Sequence, residues 1–141
     1  MNGETGVALW LMKSEPDVFG WDDLVKDGGT EWDGVRNHTA ARNLREMQVG
    51  DQAFFYHSNI GLEIVGVMQV ARTAKKDGDT GNWVSVRMEP VEPLPGTVTL
   101  KQAKAEPRLS EMELVKYSRL SVGRVTPEEW DVVLELAGAS S

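Results

Sequence analysis

An unbroken apolar run over residues 7–12 gives way to Lys-Ser-Glu-Pro. That pattern predicts a buried strand leading into a loop, with Pro16 biasing Glu15 toward an extended backbone. A short helix is predicted over residues 21–26, closed by Gly28-Gly29. Asn37 is placed to cap a better helix over residues 38–47, with Ala40, Ala41, Leu44 and Met47 on one stripe and Arg42, Arg45 and Glu46 on the other side. After the turn Val49-Gly50-Asp51, residues 52–57 carry Phe54, Phe55 and Tyr56 in succession and read as a second strand. A valine-rich strand over residues 64–73 contains Gly66, which marks a bulge or a barrel corner. A polar turn over residues 77–82 separates it from residues 83–91, where Val84, Val86 and Met88 alternate with Ser85, Arg87 and Glu89. The two strands form a hairpin with one buried face.

Thr99 caps a short helix through Ala105, stopped by Pro107, and residues 120–125 form a last strand. Thr126-Pro127-Glu128-Glu129 is the clearest local signal: a threonine cap, proline at the first helical position and glutamate three residues after the cap. The helix it opens runs to about Ala137, with Trp130, Val133, Leu134 and Ala137 on its apolar stripe and Gly138 at its end. About five or six strands interspersed with short helices indicate an α+β class with a small mixed or closed sheet. Regular strand–helix alternation and a glycine-rich phosphate turn are both absent, which argues against a doubly wound parallel sheet. With 141 residues and no repeat or linker, one domain is expected over residues 7–138, with residues 1–6 and 139–141 as flexible ends.

Composition narrows the chemistry. No apolar run is long enough to cross a bilayer and no signal peptide is evident, so the cytosol is the expected compartment. The absence of cysteine excludes disulfides, thiolate nucleophiles and cysteine-based metal sites, and His38 and His57 alone leave little for a metal, so no cofactor or metal is expected. The net charge of −7 argues against binding nucleic acid by bulk attraction to phosphate. Charge is nevertheless segregated: residues 1–35 carry two bases against eight acids, whereas residues 36–76 and 101–124 each carry six bases against three acids. If those two basic segments share a face they form a local patch; otherwise they are solvated charge on unrelated faces.

Ser14, His57 and nearby acids supply the residue types of a hydrolase, but without a G-x-S-x-G elbow to support one. Adjacent carboxylates such as Asp22-Asp23 do not face one another on a helix, and Asp77, Asp79 and Gly81 lack the final glutamate of a calcium loop. More distinctive are the five tryptophans. Trp21, Trp83 and Trp130 fall on stripes that assign them to packing, while Trp10 and Trp32 adjoin polar segments and suit either packing or a wall on which a base stacks.

Four blocks, WLMKSEP (10–16), TEWDGVRNHTAARN (30–43), VGDQAFFYHSN (49–59) and RLSVGRVTPEEW (119–130), resemble the EVE domain family, and together they cover nearly the whole chain. The resemblance implies a PUA-like mixed β-barrel, related in shape to YTH domains, with a pocket that reads a modified base in DNA or RNA. It puts Lys13 and Ser14 at the pocket mouth, Trp32 as a stacking wall, Asn37 as a reader of the base edge, and Tyr56, His57 and Ser58 around the ligand. Arg119 and Ser121 would close the site and meet a phosphate. Asn37 is also the predicted helix cap, and its side-chain oxygen cannot serve both tasks in full. Family members often carry a longer segment between the strands that here meet through residues 75–82, so a more open pocket is expected.

The expected function is therefore that of a non-enzymatic reader of a modified base, such as a modified cytosine or adenine. Trp10, Trp32 and Tyr56 are its candidate aromatic walls, and Arg36, Arg42, Arg45 or Arg119 would guide the backbone. The alternatives are a small-metabolite or nucleoside binding module and a small hydrolase using Ser14 and His57.

Overall fold

The computed structural model describes residues 7–139. The expected flexible ends lie outside the described residues, apart from Ala139. Six strands, β1 (Leu9–Ser14), β2 (Thr30–Trp32), β3 (Gln52–His57), β4 (Glu63–Lys76), β5 (Val84–Thr99) and β6 (Val122–Arg124), form one sheet in the order β2-β5-β4-β3-β1-β6. Only the β1–β3 pair is parallel. The sheet curls into a half-barrel, the mixed α+β, PUA-like architecture expected from the sequence. Helices α1 (Trp21–Asp27), α2 (His38–Glu46), α3 (Leu100–Ala105), α4 (Glu113–Lys116) and α5 (Pro127–Leu136) cover it.

Two apolar clusters explain the successive aromatics of β3. Phe54 and Tyr56 point with Leu9 and Leu11 into one cluster, which α3, α4 and α5 cover. Phe55 and Ala53 point with Trp10 and Met12 into the other, which holds Trp21, Trp32 and the stripe Ala40, Leu44 and Met47 of α2. With both faces of the central strands buried, the period of two in side-chain direction appears in the sequence as an uninterrupted apolar run. Phe54 stacks on Trp130 at 3.7 Å between ring centroids, fastening α5 to the sheet.

Capping follows the sequence closely. The Asn37 amide oxygen accepts the N–H of Ala40 at 2.9 Å, and Thr126 and Glu129 form the reciprocal capping box. Gly28 ends α1 with φ of 75°, a left-handed conformation that glycine adopts without penalty. Gly66 lies in β4 beneath Trp21, where a Cβ would come within 2.6 Å of the indole. Only glycine leaves room for that ring against the strand.

Strand β5 contains Pro90 and runs well past its expected end at residue 91, through Pro93 and Pro95. Beyond Met88, β2 no longer pairs with it, so the missing proline N–H groups can face an open edge. Buried Asp51 is the main polar tie: its carboxylate accepts the N–H of Ala8 (3.1 Å), the indole N–H of Trp10 (3.1 Å) and the N–H of Gln48 (3.0 Å). Buried Asn43 similarly donates to the Val122 carbonyl at 2.7 Å, joining α2 to β6.

Candidate functional site

The curl of the sheet brings β2, at one end of the strand order, toward the segment before β6 at the other. A cavity of about 750 Å³ opens between them, beyond the carboxyl ends of β1 and β3. Its size lies in the roughly 300–1,000 Å³ range of small-ligand sites. Lys13, Ser14, Glu15, Val18 and Phe19 supply one side, and Thr30 through Gly34 face them. Ser58, Arg119 and Ser121 complete the lining.

Backbone hydrogen bonds fix these pieces. Lys13 N–H donates to the Ser121 carbonyl and Ser58 N–H to the Ser14 carbonyl, both at 2.9 Å. The turn after β1 is held by the N–H groups of Val18 and Phe19, which donate to the Glu15 carbonyl at 2.9 and 2.8 Å. The Ser14 hydroxyl donates to the Phe19 carbonyl at 2.5 Å. Strand β2 is tied to β5 by its ladder and by Glu31, whose carboxylate accepts from Arg72 at 2.7 Å and from the Ser85 hydroxyl at 3.3 Å.

Charge is divided across the cavity. Lys13 and Arg119 lie on one side, whereas Glu15, Glu31 and Asp33 stand on the others. Burial lowers the Lys13 pKa, and its ammonium donates to the Ser118 carbonyl at 3.0 Å. The hydrogen bond from Arg72 holds the Glu31 carboxyl below its ordinary range. Trp32 and Phe19 thus share the cavity with hydroxyls that donate and accept, carboxylates that accept, and two cations. Such a lining can hold a flat polar ring against an aromatic surface, bond its edge and meet an attached anion.

Of the residues singled out from sequence, Lys13, Ser14, Trp32, Ser58, Arg119 and Ser121 meet in this cavity. The others do not line it. Trp10 is 1% exposed, donates its indole N–H to Asp51 and has the Arg124 guanidinium over its ring, because even-numbered positions of β1 face the interior cluster. Tyr56 is 2% exposed and faces the opposite cluster, so it is not a second aromatic wall across from Trp32. Arg36 pairs with Asp77 at 3.0 Å and lies over Trp83, away from the cavity. Asn37 spends its oxygen on the helix cap and borders a neighbouring groove.

His57 lies next to the cavity rim, where its Nε2 accepts the Trp21 N–H at 3.1 Å. With the Ser14 hydroxyl turned to Phe19 and His57 turned to Trp21, the two are committed to backbone groups rather than to each other. Trp32 itself is 8% exposed and meets Phe55 edge-on at 5.5 Å between centroids. Trp83, assigned to packing by its stripe, is half-buried and stacks on exposed His38 at 4.8 Å. Among the described residues no group of three or more His, Asp or Glu side chains is arranged to hold a metal.

Val18, Phe19, Thr30 and Glu31 were not singled out as site residues from sequence. They adjoin the Lys-Ser-Glu-Pro and Trp-Asp-Gly segments, and that adjacency was their only signal.

A family model described as the EVE domain matches residues 8–136. A solved structure from Rhodopseudomonas palustris is 50% identical, with a TM-score of 0.89 and 94% of each chain covered. The human THYN1 protein, in complex with 5-methylcytosine containing DNA, is 31% identical, with a TM-score of 0.85 and coverage of 95% of this chain and 99% of that one. Thymocyte nuclear protein 1 of Danio rerio is 37% identical over 163 residues, covering 90% of this chain and 71% of that protein. The chain spans 57% of the length of a Schizosaccharomyces pombe relative that is 36% identical. A YTH domain of Zygosaccharomyces rouxii, in complex with N6-methyladenosine RNA, is 16% identical with a TM-score of 0.58, a likeness of fold.

Proposed function

We propose that this chain, which belongs to the EVE domain family, is a nucleic-acid-binding module that admits one modified base, a methylated cytosine first among candidates, to the cavity beside Trp32. The observation that carries this reading is the cavity: a slot of about 750 Å³ in which Trp32 and Phe19 adjoin Ser14, Ser58, Lys13 and Arg119. A base leaving its stack recovers energy against an aromatic surface and is distinguished along its polar edge. The complex of the human THYN1 protein with 5-methylcytosine containing DNA supports this ligand class.

In this reading Trp32 and Phe19 hold the ring and its methyl group. Asp33 and the hydroxyls address the exocyclic amine and ring nitrogens, while Lys13 and Arg119 meet the phosphate. The net charge of −7 leaves the pocket, rather than bulk attraction, to supply most of the affinity. The engagement of Ser14 and His57 with backbone groups favours a binding module over a hydrolase.

Calorimetric titration with DNA and RNA oligonucleotides carrying 5-methylcytosine, 5-hydroxymethylcytosine or N6-methyladenine tests the proposal. Tighter binding of at least one modified oligonucleotide than of its unmodified control is expected. Equal binding throughout contradicts it.

A further inference from the structure

We propose that the groove beside the cavity holds the nucleotide adjacent to the inserted base, so that the site takes a stretch of single strand rather than an isolated base. This rests on the base-binding reading of the cavity. The groove, of about 620 Å³, lies between α2 and the segment that precedes β6. Arg119 borders both concavities, and the Lys13 ammonium, in the first, donates to the carbonyl of Ser118, in the second. A ligand leaving the cavity past Arg119 therefore enters the groove.

Charge changes along that path. The cavity sets Lys13 and Arg119 against Glu15, Asp33 and a Glu31 already paired with Arg72, whereas the groove presents Arg42, Arg119 and a Lys116 paired with Glu111 against Glu113. One Glu113 oxygen accepts the backbone N–H of Arg124 at 2.8 Å. Among the described residues neither Arg42 nor Arg119 makes an ion pair. The neutral base edge thus meets the carboxylates and the phosphate linkage meets the guanidinium groups, as the chemistry of each requires.

Tyr117 supplies the second element. It lines the groove at 50% exposure, with the Lys116 ammonium 5.7 Å from its ring centroid. An exposed phenol beside cations is a stacking platform that accepts any base, the arrangement by which single strands are held without regard to sequence. Trp83, a half-buried aromatic, is less available, because His38 and Arg36 already pack against its ring.

The test compares the affinities of 5-methyl-2′-deoxycytidine 5′-monophosphate and of a short single-stranded oligonucleotide centred on the same base. Wild type, Tyr117→Ala, Tyr117→Phe and Arg42→Ala are each titrated with both. The oligonucleotide is expected to bind wild type more tightly than the mononucleotide. Tyr117→Ala and Arg42→Ala should each weaken the oligonucleotide by about fivefold or more and leave the mononucleotide unchanged, while Tyr117→Phe binds like wild type. An oligonucleotide that gains nothing over the mononucleotide, or that is indifferent to Tyr117→Ala, overturns the groove and leaves the cavity reading intact. Failure of both ligands to bind wild type overturns the cavity reading and this one with it.

Discussion

The His57 imidazole accepts the backbone N–H of Trp21 at 3.1 Å, so a side chain at the end of β3 caps the first turn of α1 beside the cavity. Acceptance through Nε2 requires the neutral ring with its proton on Nδ1. Burial lowers the His57 pKa below its ordinary value of 6.5, against the smaller opposing pull of Glu63 and Asp22.

The sign of the resulting pH dependence follows. Between the two pKa values the unfolded chain takes up a proton that the folded one refuses. The contribution of His57 is complete above 6.5 and is lost as the pH falls through that value toward the lower folded pKa. Thermal melting from about pH 7.5 down to about pH 5 should show a decline that is shallower in His57→Gln, whose amide oxygen accepts without titrating. Identical slopes for the two proteins contradict this role.

Asp51 is 4% exposed and accepts three N–H groups, from Ala8, Trp10 and Gln48. Asp51→Ala strands all three donors and is expected to lower the unfolding free energy by about 3 kcal/mol, with Asp51→Asn, which keeps one acceptor oxygen, costing less. Urea unfolding followed by tryptophan fluorescence measures both. A loss in Asp51→Ala no larger than that of an ordinary surface substitution would show that water replaces the carboxylate at little cost.

Arg119 borders both concavities from an exposed position. If it meets phosphate, Arg119→Ala should weaken a modified oligonucleotide by about fivefold with little change in thermal stability. The logarithmic dependence of affinity on salt should also become shallower by about 0.7, the contribution of one phosphate contact on a single strand. An unchanged salt slope places the phosphate elsewhere.

The elements most legible from sequence are those fixed by local chemistry. The Asn37 cap, the Thr126 capping box, the Gly28 terminus of α1 and the aromatic strand over residues 52–57 need only neighbours within a few positions. Strand β2 escaped notice because three residues cannot announce a strand, and Thr30–Trp32 is extended only because β5 pairs with it. Helix α4, four residues long, likewise depends on its surroundings.

The site was legible in part for the same reason. Six of its residues were identifiable because their sequence blocks carry family resemblance. The facing of Trp10 and Tyr56 was not: in a sheet buried on both sides, consecutive apolar residues look alike whichever face they serve. The pairing of β1 with β3 places Phe55 beside Met12, and the curl of the sheet brings Trp32 against Phe55, while Tyr56 lies in the opposite cluster.

The central claim is that one base enters the cavity beside Trp32. Backbone amide and indole NMR shifts, followed while a 5-methylcytosine oligonucleotide is titrated in, test it most directly. The largest changes are expected at Ser14, Phe19, Trp32, Ser58 and Ser121. Saturable changes centred on the Trp83 surface, with those five residues undisturbed, would contradict it.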